Sequence, residues 1–201
     1  FLEDKTEGNV FFLIGLVRVL AEEAGQLGGV GVVTLPEGLF AGGIADIIER
    51  RLNRVPDEHY PLLKLAAVAG RALDLDVLHP LASYIDLETW LATCANVAVL
   101  EVRDGQWRFS HDKLRQAVIV GLADDEQSML HGQVAEIMEA VYPDDPRYAP
   151  DLTTHWRMAQ RVDKELHYAQ IAGEQALSMS AFSKALEFIT RAQTLTPEGS
   201  K

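Results

Sequence analysis

The feature that most limits how this chain can fold is a single change of period. Apolar side chains recur at helical three-four spacing through most of the sequence, but Val97-Ala98-Val99-Leu100-Glu101-Val102 is short and β-branched, and Gln106-Trp107-Arg108-Phe109 alternates beyond Asp104-Gly105. Asp-Gly is a strong two-residue turn signal, so this stretch predicts one β-hairpin set among helices. The fold class that follows is mainly α.

Ahead of the hairpin, Phe12, Leu13, Leu16, Val17 and Leu20 mark a helix over residues 9–24, with Gly25 where a helix-ending glycine belongs. Seven glycines between Gly25 and Gly43, with Pro36, then break regular structure and predict a linker over residues 26–43. Ile44, Ile47, Ile48 and Leu52 form the next helical stripe. Beyond Pro56, Leu62, Leu63, Leu65, Ala66 and Val68 form another that ends near Gly70. Short helices over 75–83 and 87–95 complete the approach to the hairpin. Behind it the spacing predicts helices over 112–122 and 126–141, the second with Asp124 or Asp125 as its cap. Pro143, Pro146 and Pro150 make a stiff connection over 143–150, and helices over 152–160, 164–179 and 182–195 follow. Helices, hairpin, helix is the order of a winged-helix module, assigned to residues 44–142. The tail, residues 151–201, reads as stacked helical hairpins.

Composition narrows the function. The chain has 201 residues, 48% of them hydrophobic, and a formal charge of −12, which provides a core and disfavours nucleic acid or an anionic membrane as partner. Charged residues interrupt every apolar run before the roughly 18 residues that a membrane span needs. A single cysteine, Cys94, allows no internal disulfide, and with no signal peptide at Phe1-Leu2-Glu3 the expected compartment is the cytoplasm. The start without Met suggests a piece of a longer chain.

Catalytic patterns are missing from the sequence. His59, His79, His111, His131, His155 and His167 do not form metal-binding spacings, so no metal site is expected. Gly28-Gly29-Val30-Gly31 lacks the Lys-Ser/Thr of a phosphate loop and fits a linker. The helix that a winged-helix protein would place in the DNA major groove contains Asp86 and Glu88 and no Lys or Arg, which argues against contact with phosphates. Phe109-Ser110-His111-Asp112 stands out as a polar cluster where a strand passes into a helix. Its structural reading makes Ser110 or Asp112 the helix cap and His111 a partly buried filler; its functional reading points His111 at an anion held by a neighbouring domain.

Three segments together resemble one family. Thr6-Glu7-Gly8-Asn9-Val10-Phe11-Phe12-Leu13 is similar to the "EGNPFF" segment of bacterial STAND-type signalling ATPases (signal-transduction ATPases with numerous domains), with Val10 in place of the family's Pro. The run from Leu35-Pro36 through Arg50-Arg51-Leu52 and Val55-Pro56 to Leu65-Ala66-Ala67-Val68-Ala69-Gly70 is similar to the family's "LP…I…RL.RLP…LL..AAV.G". Arg108-Phe109-Ser110-His111-Asp112-Lys113-Leu114-Arg115-Gln116-Ala117-Val118 resembles its "FRFSHDLIREAL" segment. The resemblance covers about residues 6–140.

It implies that residues 1–25 end a helical lid and that the winged-helix domain lies against a nucleotide. Asn9, His111 and Asp112 would then contact ADP held by an upstream nucleotide-binding domain of the same chain, with Ser110 replacing the Met of the related Met-His-Asp motif. The phosphate-binding loop would lie upstream of Phe1, so this chain would be a non-catalytic regulatory fragment holding no cofactor of its own, while ADP or ATP belongs to its full-length parent. In the tail, Ala169, Ala172, Gly173, Ala176, Ala185, Ile189, Ala192 and Pro197 keep the small-residue spacing of a tetratricopeptide-type repeat, implying a superhelical array that senses a protein or small-molecule inducer. The rival readings are a protein-interaction scaffold without nucleotide coupling and a DNA-binding regulator.

Overall fold

The computed structural model describes residues 44–196. The expected lid end, residues 1–25, and linker, 26–43, lie outside the described residues, as does Asn9.

The described chain is mainly helical, with one two-stranded antiparallel sheet. Helix α1 (Ile44–Leu52) is followed by a 3-10 turn (Asp57–His59), α2 (Tyr60–Ala69), α3 (Leu75–Leu81) and α4 (Leu87–Asn96). The hairpin of β1 (Leu100–Arg103) and β2 (Gln106–Phe109) leads into α5 (Asp112–Val120) and α6 (Asp124–Val141). A second 3-10 turn (Pro146–Tyr148) then precedes α7 (Ala149–Met158), α8 (Val162–Ser178) and α9 (Phe182–Leu195).

Local chemistry sets several of these boundaries. Asp74 caps α3 by accepting from the amides of Asp76 and Val77, and Asp86 caps α4 by accepting from Thr89. The expected cap of α6 is displaced. Ala123 holds the cap position without a side-chain bond, and Asp124 and Asp125 fall in the first turn, where their charge favours the helix dipole. The hairpin registers Leu100 on Phe109 and Arg103 on Gln106. Its turn puts Asp104 and Gly105 at φ 54° and 77°, the left-handed pair that the Asp-Gly signal anticipates. Strand β1 begins only at Leu100, because Val97 caps α4 and Ala98 turns at φ 57°.

Helix α2 is the centre of the first layer. Leu62, Leu63, Leu65, Ala66, Ala67 and Val68 are buried, because α2 is packed by α5 on one side and α6 on another. The indole of Trp90 is fully buried and donates from Nε1 to the carbonyl of His59 at 3.0 Å, which removes the cost of enclosing its polar atom. Phe109 and Leu114 are equally enclosed, and truncating such a ring to Ala costs about 3–5 kcal/mol.

Leu152 and Trp156 of α7 join this same core, so the chain beyond the prolines packs back on α6. A polar clasp fixes the junction. Trp156 Nε1 donates to Glu139 Oε1 at 2.9 Å, Lys164 Nζ reaches both oxygens of that carboxylate, and Lys164 and Arg161 lie over the Trp156 ring. Helix α8 lies between α7 and α9. Ala169, Ala172, Gly173 and Ala176 on α8 and Ala185 and Ala192 on α9 are buried, and Gly173 lies against Ile189 and Phe188, where its small size lets the two helices approach closely. A Cβ built on Gly173 would come within 2.9 Å of Ile189 Cγ1.

Candidate functional site

The strand-to-helix junction at 109–112 is held from three directions. Phe109 donates its amide to the carbonyl of Arg71, and Leu73 donates to Trp107, so residues 71–73 run along β2. Ser110 donates its hydroxyl to the Ala98 carbonyl at 2.7 Å and its amide to Val99, closing the base of the hairpin. Arg51 of α1 reaches the same Ala98 carbonyl at 3.4 Å.

The cap of α5 differs from expectation. It is His111, not Ser110 or Asp112: its backbone is extended, and its Nδ1 accepts from the Lys113 amide at 3.1 Å. Ser110 is already committed to Ala98. Asp112 stands one residue inside the helix, where it accepts from Gln116 at 2.8 Å and lies 3.9 Å from Arg115.

This arrangement determines the chemistry His111 can offer. An imidazole whose Nδ1 accepts carries its proton on Nε2 when neutral, which leaves Nε2 as a donor. The neutral form is favoured, because burial and the positive charges of Arg71, Lys113 and Arg51 hold its pKa below the usual histidine value, against an opposing pull from Asp112. In a chain of net charge −12, three cations act on one ring at the N-terminus of a helix. Such a locus favours an anion.

Other polar groups come together that spacing did not reveal. His131 of α6 and His155 of α7, both buried, bring their Nδ1 atoms to 2.9 Å. Burial, reinforced by Arg115, pushes both down to about 4, and the His131 ring adds to the effect on His155. Arg115 also donates to the Ala67 carbonyl at 2.8 Å, so one side chain links α5, α2 and the histidine pair. No cluster of three metal-ligating side chains occurs among the described residues. Glu165 of α8 is buried and receives a two-pronged ion pair from Arg191 of α9, at 2.7 and 3.1 Å. Burial raises the Cys94 thiol to about 12, which makes it a small apolar filler beside Trp90 in the core.

Two depressions flank α7. One, of about 200 Å³, lies between the end of α6, the second 3-10 turn and α8; the other is an open groove beside Met129 and Trp156. Among the described residues no helix is long and apolar enough to cross a membrane. No family model, no curated protein and no solved structure matches the chain.

Proposed function

We propose that this chain is a non-catalytic regulatory part of a cytoplasmic multidomain signal-transduction ATPase, relaying nucleotide state from an upstream ATP-binding domain to a downstream helical sensor. The reading takes residues 44–142 as a winged-helix domain and the α8–α9 hairpin as tetratricopeptide-like. It rests chiefly on one observation: His111 caps α5 with its Nδ1 where strand passes into helix, and the positive charges of Arg71, Lys113 and Arg51 act on its ring. A locally positive field at the N-terminus of a helix suits a phosphate oxygen presented by a neighbouring domain. Ser110, which replaces the motif's Met, is occupied with the hairpin base.

The relay in this scheme runs through α5. Asp112 and Arg115 share its first turn, and Arg115 acts on the histidine pair where α6 meets α7. A nucleotide that binds one arrangement of this interface better than another would shift its population.

The test uses the full-length parent protein, purified without added nucleotide and denatured, with released ADP and ATP assayed beside a His111→Ala version. Co-purified ADP that is lost in the variant is the expected result. Equal ADP in both proteins removes His111 from the mechanism, and no nucleotide in either removes the coupling altogether.

A scaffold role without nucleotide is the second reading. It is favoured by Leu177, Phe182 and Leu186, which are exposed at the α8–α9 turn and along α9 and give stacked repeats or a partner an apolar surface. A DNA-binding role has less support, because α4 carries Glu88 and no Lys or Arg.

A further inference from the structure

The depression between α6, the second 3-10 turn and α8 has a distinctive lining. Tyr142 and Tyr168 contribute aromatic walls, Leu152 and Ile171 line it with apolar surface, and Asp144 and His167 complete it. At about 200 Å³ it exceeds the roughly 150 Å³ that encloses a benzene.

Its lining includes two carboxylates, Asp144 and Asp145. Tyr142 donates its hydroxyl to Asp74 Oδ2 at 2.7 Å, and Tyr142 stacks on Tyr148 with ring centroids 3.8 Å apart. The Tyr168 phenol is pushed up to about 12, chiefly by burial and further by the nearby carboxylates of Glu139 and Asp144. A phenol that donates to a carboxylate, as Tyr142 does to Asp74, gains electron density in its ring, which strengthens the attraction of the ring face for a cation. Asp145 is neutralised by Arg147, at 2.6 Å, which leaves Asp144 as the carboxylate with its charge available to the depression. An anion would meet the charge of Asp144. A hard metal ion would find no set of three ligating side chains among the described residues.

We propose that this depression is a binding site for a small organic monocation with a methylated ammonium head, seated between Tyr142 and Tyr168 with Asp144 as its counter-ion. The ligand would touch α6, α7, the 3-10 turn and α8 together, so its binding would stiffen the joint between the first layer and the α8–α9 hairpin. This goes beyond the nucleotide reading and does not depend on it.

Tetramethylammonium chloride, titrated into the 201-residue chain at constant ionic strength, tests the site by amide chemical shifts. Saturable shifts centred on residues 142–146 and 167–171 are expected, with affinity at least about tenfold weaker in Tyr168→Leu and several-fold weaker in Asp144→Asn. Asp144 is exposed, so that variant stays folded even if Tyr168→Leu does not. Tert-butanol, of similar shape without the charge, should bind at least about tenfold less tightly than the ammonium. No saturation by about 50 mM in the folded chain overturns the proposal. Equal binding of tert-butanol, or undiminished binding by Asp144→Asn, overturns it as well.

Discussion

The Nδ1 atoms of His131 and His155 lie 2.9 Å apart inside the α6–α7 interface, so one ring must donate and the other, which must be uncharged, accept. Burial and Arg115 keep both rings uncharged by holding both pKa values near 4. In the unfolded chain each ring titrates near 6.5. The unfolded state therefore binds more protons between those values. The stability that the pair contributes is complete above about pH 6.5 and is lost as pH falls towards 4. Urea denaturation at pH 6.5 and pH 5.0 should show a loss on the order of 3 kcal/mol in the native chain and much less in a His131→Phe/His155→Leu double variant. An equal loss in both proteins would assign the effect to other groups.

Removing Arg191 from its ion pair with Glu165 leaves a buried carboxylate under-compensated. Glu165 is 2% exposed, and after Arg191→Ala its remaining cationic partner is Arg157 at 3.9 Å, at an expected cost of about 1–3 kcal/mol, with earlier amide exchange along α9. The double variant Glu165→Leu/Arg191→Leu should recover most of it, because it leaves no buried carboxylate and Arg157 is half-exposed to water. A double variant as unstable as the single would show that the pair stabilises by more than mutual compensation.

Gly173 should tolerate a methyl only if its neighbour retreats. Alanine is better than glycine within a helix by about 1 kcal/mol, but here its Cβ would meet Ile189 Cγ1 at 2.9 Å. Gly173→Ala alone is expected to destabilise the α8–α9 hairpin by about 1–2 kcal/mol. In an Ile189→Ala background the same change should stabilise it. Thermal melting of the four proteins checks the sign reversal, and a Gly173→Ala that stabilises the native chain contradicts the close approach.

His111 combines a cap with a candidate contact, and two substitutions separate the roles. His111→Ala removes the acceptor for the Lys113 amide and should cost about 1 kcal/mol of stability. His111→Asn restores a cap acceptor without the imidazole Nε2–H, so its stability should stay near native. If the proposed relay holds, nucleotide retention by the parent protein falls in both variants alike. Retention that tracks stability would reduce His111 to a cap.

Much of the secondary structure was legible because its causes are local. The turn at Asp104-Gly105 and the stripes of α2 and α6 depend on backbone preference and on periodicity, which neighbouring residues carry. The junction at 109–112 was visible as a polar cluster at a change of period. Its cap was assigned wrongly, because the competing acceptor for Ser110, the Ala98 carbonyl, lies twelve residues away across the hairpin.

What the sequence alone determined, then, is the helical character, the single hairpin, the acidic balance and the position of His111 where strand gives way to helix. Tertiary structure decided which distant polar groups share an interior. His131 and His155 are 24 residues apart, Glu165 and Arg191 are 26 apart, and Asp74 and Tyr142 are 68 apart, and no periodicity links the members of such pairs. They meet because apolar faces on their own helices must be buried, and the packing that buries them sets which polar side chains are left facing one another.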